Sequence, residues 1–445
     1  MINRKELELL GAALATLEKG AEALPAFTPD VDERAIAKVL SEVAERMQDN
    51  YPYFHPQYAG QMIKPPHPIA RIAFALSLWV NPNNLALDCG RASSAMEKEC
   101  IVELGKLFAW EAPLGHLAGG GTMANLEALW VSGRLAPGRK VIASSMAHYT
   151  HGRISEVLGI PFADVDVDER GRMDVDAVEE QLSRGDVATV VVTVGNTGLG
   201  AVDPLPDILA LREKYEFRVH IDAAYGGYFG LASELDEETR HVYDSLGAAD
   251  SIVIDPHKHG LQPYGCGCVL FRDPTVGRFY KHDSPYTYFS SGDMHLGEMT
   301  LECSRAGASA VALWATQQLL PMVPGGTFAA GLDACLRAAR SLSQALHESP
   351  TFTPLVEPQL DIVTYAVNAA TTSESSRRAG DLFAAAADRE LHLALIELPS
   401  SFEQRYAPDI EPDSEHITCI RSVLMKPEHE EWIDEITALL EASAG

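Results

Sequence analysis

Ser251-Ile252-Val253-Ile254-Asp255-Pro256-His257-Lys258-His259-Gly260 begins as a short β-branched run and breaks at a proline, leaving a lysine just past a strand end. Upstream, His220-Ile221-Asp222-Ala223-Ala224-Tyr225-Gly226-Gly227 repeats the pattern with a carboxylate at the break. Thr189-Val190-Val191-Val192-Thr193-Val194 is a third such run, apolar on both faces. Strands of this kind belong inside a parallel sheet covered by helices, and 123–134 and 203–214 have helical patterns suited to that task. The expected fold class is therefore α/β, with a large doubly wound, mainly parallel sheet. A break at Pro321-Met322-Val323-Pro324-Gly325-Gly326 is followed by a helical stretch to about 348, strand-like 360–367 and 416–425, and a last helix, 428–442. These segments predict a smaller C-terminal α+β domain. The implied division is an N-terminal helical segment 1–55, a large domain 56–325 and a small domain 326–445.

Strand ends in such sheets gather ligands. A lysine able to form a Schiff base, beside an acid at a neighbouring strand end, is what pyridoxal phosphate chemistry requires. The lysine holds the aldehyde, and the acid keeps the ring nitrogen protonated so that the ring accepts electrons. Lys258 and Asp222 are that pair.

Other residues fall in the same order along the chain. Gly119-Gly120-Gly121-Thr122 opens a helical pattern, and backbone amides at a helix start favour a phosphate. The run lacks the G-x-x-x-x-G-K-[ST] of a nucleotide P-loop, and taken alone it is equally a capped turn. His148 follows the strand 140–143, where its ring can stack on a planar cofactor or simply bond within its loop. Thr197, in Thr193-Val194-Gly195-Asn196-Thr197-Gly198, ends the next strand. Asp283-Ser284-Pro285-Tyr286-Thr287-Tyr288-Phe289-Ser290 reads as a lid carrying phenol proton donors, or as a surface loop. Arg421 interrupts an apolar strand, where it either grips a carboxylate bidentately or faces solvent.

Composition narrows the alternatives. The 445 residues carry a net charge of −28, which repels nucleic acid and anionic membranes. Seven cysteines, an odd number without zinc-site spacing, point to free thiols in a reducing compartment. No secretory leader or spanning segment is evident, so a cytoplasmic protein is expected. Asp164-Val165-Asp166-Val167-Asp168 lacks the glycine and glutamate of a calcium loop, and no metal site is expected. Neither H-E-x-x-H nor G-x-S-x-G occurs, which removes metalloprotease and serine-hydrolase readings.

In this order the residues resemble the group II pyridoxal-phosphate-dependent amino acid decarboxylases. That family of fold-type I enzymes includes aromatic amino acid, glutamate and tyrosine/aspartate decarboxylases. The resemblance runs from about residue 50 onward and is strongest at His220–Gly227 and Asp255–Gly260. It implies pyridoxal 5'-phosphate held as an aldimine on Lys258, Asp222 at the ring nitrogen, and His148 and Ala224 on opposite ring faces. Gly121, Thr122 and His257 would contact the phosphate, and Thr197 matches the second threonine of a Gly-Thr-Thr loop whose first is replaced by Asn196. Tyr286 or Tyr288 falls where the family keeps a tyrosine that protonates the product carbanion. Arg421 resembles a substrate-carboxylate arginine. Separately, Tyr53, Phe54, His55 and Tyr58 read either as the lining of an aromatic substrate pocket or as core of the entry segment. The resemblance implies decarboxylation of an aromatic or acidic L-amino acid by a homodimer with its active site at the interface, and the leucine stripe at 7–17 is compatible with dimer packing. A carbon–carbon lyase of the sphingosine-phosphate lyase type and a catalytically silent cofactor-binding homologue are the competing readings.

Overall fold

The computed structural model describes residues 4–281 and 296–444. Its larger sheet has seven strands: β1 (Leu114–Ala118), β2 (Lys140–Ser144), β3 (Phe162–Val165), β4 (Val187–Thr193), β5 (Arg218–Asp222), β6 (Ser251–Ile254) and β7 (Gly267–Phe271). Their spatial order is β1-β7-β6-β5-β4-β2-β3. Only β7 runs against the rest, pairing antiparallel with both β1 and β6. Every residue of β4, β6 and β7 is buried, which is why the sequence shows no apolar–polar alternation there. The helix Gly121–Leu135 packs over β6 and β7, burying Ala124, Ala128 and Val131.

The carboxyl ends of β1, β2, β4, β5 and β6 share one edge of this sheet. Parallel register sets Asp222 beside Val253, so the end of β5 lies next to the turn that leaves β6. Antiparallel β7 starts at the same edge, with Gly267 opposite Ala118. That contact is tight. A Cβ on Gly267 would come within 2.5 Å of the Gly120 carbonyl carbon, and Gly120 itself has φ +144, a region that excludes most side chains.

The second sheet is antiparallel, with β8 (Phe352–Pro354), β9 (Ile362–Val367), β10 (Ala394–Pro399) and β11 (His416–Val423) in the order β10-β11-β9-β8. The helix Thr327–Glu348 packs on both β8 and β9. The expected last helix starts instead as a 3-10 turn, Pro427–Trp432, and becomes α-helical over Ile433–Ala444. Likewise the pattern at 203–214 resolves into Leu205–Ala210 and a 3-10 turn, Leu211–Glu213.

The N-terminal region departs from the usual expectation for a leucine stripe, which is burial in the core. In Arg4–Lys19 no residue is buried, and Leu7 and Leu17 face outward. The following helix, Glu33–Met47, also buries nothing within this chain. Among the described residues no helix is long and apolar enough to cross a membrane.

Candidate active site

A cavity of about 320 Å³ opens at the shared strand edge. Gly119–Thr122, His148, Thr197, Asp222, Ala224, His257 and Lys258 all line it. Sheet topology therefore brings together residues spread over about 140 positions.

Lys258 Nζ lies 3.4 Å from Oδ2 of Asp255, at the turn that closes when the Lys258 amide bonds the Asp255 carbonyl at 2.9 Å. Asp255 is buried, and burial pushes its carboxyl up against the opposing pull of Lys258 and His257. His257 donates from Nδ1 to the Cys266 carbonyl at 2.8 Å, because a carbonyl only accepts. Its other ring nitrogen is 3.6 Å from Asp255.

Asp222 accepts three hydrogen bonds, from the Ala224 amide at 3.1 Å, Asn125 Nδ2 at 3.2 Å and His151 Nε2 at 2.9 Å. Burial opposes its charge. The His151 hydrogen bond and charge, Lys258 and the Ala224 amide outweigh burial and hold the carboxyl well below the usual range. Asn125 is itself oriented: its Oδ1 is 2.8 Å from Nε2 of His220, whose Nδ1 is 2.9 Å from Ser251 Oγ. Burial lowers the His220 pKa to about 3, so its ring is neutral, donates to Asn125 and accepts from Ser251.

Sequence reasoning missed Asn125, His151, His220 and Ser251 as members of this network. His151 had a faint signal, lying one helical turn after His148, and Asn125 sat unassigned in the glycine motif. His148 lines the cavity, bonds Thr150 Oγ1 at 2.9 Å and is kept neutral chiefly by burial.

The remaining candidates are placed differently from one another. Arg421 is buried, which overturns the solvent-face alternative. It donates to the Thr197 carbonyl at 2.8 Å and to Gln61 Oε1 at 2.9 Å, so it stands one residue behind the cavity wall, and its Nε has no hydrogen-bond partner among the described residues. His55 packs edge-on against Trp432 at 4.8 Å, away from the cavity lining. Tyr286 and Tyr288 lie outside the described residues. Asn196, standing for a family threonine, donates to the Gly171 carbonyl at 3.0 Å and accepts from the Leu199 amide at 2.8 Å, bracing the loop.

The cavity suits pyridoxal 5'-phosphate. The helix Gly121–Leu135 has no side chain capping its start, which leaves its first amides directed at the cavity. Among the described residues, buried Thr193 Oγ1, in the cavity wall, and Asp255 Oδ1 also lack partners. Polar groups left unsatisfied at one concave site are what a polar ligand would complete.

The pyridoxal-dependent decarboxylase conserved domain matches residues 130–368. A probable L-tyrosine/L-aspartate decarboxylase of Methanothermobacter thermautotrophicus is 30% identical over 69% of this chain and 82% of its own length. The L-tyrosine decarboxylase of Enterococcus faecium is 26% identical over 75% of this chain and 71% of its own. The solved structure of Oryza sativa TDC with PLP and tryptamine superposes with a TM-score of 0.78 at 16% identity, covering 99% of this chain and 97% of that one. The fold is thus fold type I, the cofactor is pyridoxal 5'-phosphate, and the chain belongs to the pyridoxal-dependent decarboxylase family.

Proposed function

We propose that this chain removes CO2 from an aromatic or acidic L-amino acid to give the amine. The observation that carries the reading is the convergence of Lys258, ionised Asp222 and the Gly119–Thr122 amides on one cavity. Relatives named for L-tyrosine and L-aspartate favour those two substrates first.

When bound, the cofactor supplies an aldehyde for the amine and a ring that takes up the electron pair released with CO2. The chain's residues do the rest. Lys258 would provide the amine that anchors the aldehyde. Asp222, kept charged by His151, Lys258 and the Ala224 amide, would hold a proton at the ring nitrogen. Gly121, Thr122 and His257 would hold the phosphate, while His148 and Ala224, which line the same cavity, would position the ring and with it the bond to be broken. For a substrate carboxylate the candidate donor is Arg421, whose Nε is unpaired among the described residues although Thr197 stands between it and the cavity, while His55, packed on Trp432, does not reach the cavity from this chain. Tyr286 or Tyr288 delivers a proton to the substrate carbon after CO2 leaves.

The assembly in this reading is a cytoplasmic homodimer with domains divided near residues 55 and 325. The exposed face of Glu33–Met47 supports the dimer alone, since Ile36, Val39, Leu40, Val43 and Met47 project from a helix with no buried residue. A screen of CO2 release over the common L-amino acids tests the function. Release from tyrosine or aspartate with matching amine is expected. No CO2 from any amino acid, from protein whose cofactor borohydride fixes to Lys258, would refute the reading.

A further inference from the structure

A second cavity of about 290 Å³ lies on the other side of the Lys258 turn, walled by the proline-rich segment from Lys64, the start of Thr327–Glu348 and the loop after β11. Lys64 and Lys426 both line it. Lys426 is buried, with Nζ 2.5 Å from the Tyr58 carbonyl and 5.2 Å from the centre of the Tyr58 ring. Lys64 Nζ donates to the Met425 carbonyl at 3.0 Å. Among the described residues no ion pair joins either ammonium to a carboxylate, although Lys426 is buried and Lys64 half-buried, so that like charges repel and desolvation is costly. The start of Thr327–Glu348 faces the same space, and no side chain caps it. Leu261, Leu320, Phe328 and Leu332 form the apolar wall.

We propose that this cavity binds a small organic carboxylate, its anionic head between Lys64 and Lys426 and its apolar body against Leu261 and Phe328. Nothing in the decarboxylation uses these lysines, so the site is additional to the catalytic one and its occupancy does not depend on turnover. A volume near the lower end for small-molecule sites, roughly 300 Å³, admits a ligand of a few carbons. Of the acidic groups that act on the two lysines, Glu428 is exposed at the cavity and Asp361 is engaged by His259 and Tyr225. Cys335, His67 and His259 complete the titratable lining. The wall is shared with the active site. His259 Nε2 is 3.1 Å from Asp361, which accepts a 2.6 Å bond from Tyr225 Oη, and Tyr225 lines the first cavity.

Isothermal titration of the holoenzyme with 4-methylpentanoate, and with 4-methylpentanamide as its uncharged counterpart, tests the site. Saturable binding of the acid alone is expected, weakened at least about tenfold in Lys426→Met and in Lys64→Met but retained in Arg421→Met. A second measurement needs no variant: acetylation of the wild-type protein by acetic anhydride, mapped by mass spectrometry, should slow at Lys64 and Lys426 when the acid is present. No saturable heat, no protection, or binding lost in Arg421→Met and kept in both lysine variants would overturn the proposal. Equal protection by inorganic phosphate would overturn the assignment of an apolar body.

Discussion

His151 Nε2 stands 2.9 Å from Oδ2 of Asp222, and both groups are buried. That bond, with the His151 and Lys258 charges and the Ala224 amide, keeps a carboxylate charged where burial alone would neutralise it. His151→Phe should raise the Asp222 pKa and remove a charge-assisted hydrogen bond of about 1.5–3 kcal/mol. Cofactor affinity and kcat should each fall roughly 10- to 100-fold. Equilibrium dialysis followed by cofactor absorbance, together with steady-state rates, measures both. Unchanged values would remove His151 from the function of Asp222.

Gly121 has no room for a side chain. A Cβ there would sit 2.7 Å from Asp255 Oδ2, and overpacking of this kind costs about 1–3 kcal/mol. Because Asp255 neighbours Lys258 Nζ, Gly121→Ala should weaken cofactor binding more than it lowers the thermal midpoint of the apoprotein. The two are separated by cofactor titration and calorimetry. A loss confined to apoprotein stability would count against a phosphate cradle at this position.

Arg421→Met should raise KM roughly 10- to 100-fold with a smaller change in kcat, as expected when a donor to a substrate carboxylate is lost. Arg421→Lys should restore only part of it, since an ammonium cannot replace the bonds to Thr197 and Gln61 together with a third donor. Full activity in Arg421→Met would reduce the residue to a brace for the Thr197 loop.

Replacing both Tyr286 and Tyr288 by phenylalanine should suppress amine formation by at least about 100-fold, the usual scale of a lost general acid, with cofactor absorbance retained. Undiminished amine formation would place the proton donor elsewhere.

Burial and the charge of Lys64 lower the Lys426 pKa from 10.5 to about 7. Between those values the folded protein binds fewer protons than the unfolded chain, so this residue makes stability rise with pH across that window. Below about pH 7 the charged, desolvated ammonium is a constant penalty. Urea midpoints at pH 7 and pH 9 should therefore differ less in Lys426→Met than in the wild type. An equal difference would show that Lys426 titrates normally.

The apolar, β-branched runs ending at Thr193, Asp222 and Ile254 were legible as buried parallel strands, because burial on both faces leaves no alternation. Given parallel strands, Asp222 and Lys258 had to meet at one edge, and the glycine turn, His148 and Thr197 with them. The partners of Asp222 were not legible in the same way. Asn125 and His220 are 95 residues apart in sequence, and the 2.8 Å between them depends on the helix Gly121–Leu135 crossing the sheet over β5 and β6. Arg421 read equally well as exposed or buried, since a single charged residue in an apolar strand does not reveal which face is covered.

The sequence by itself thus determined the fold class, the cofactor and the pair Lys258–Asp222, since strand periodicity and chain order are local properties with one geometric solution. Only the tertiary structure decided what keeps Asp222 charged, that Arg421 is buried behind Thr197, and that Lys64 and Lys426 share a cavity. Hydrogen bonding and desolvation act over a few ångströms in space, whatever the separation along the chain.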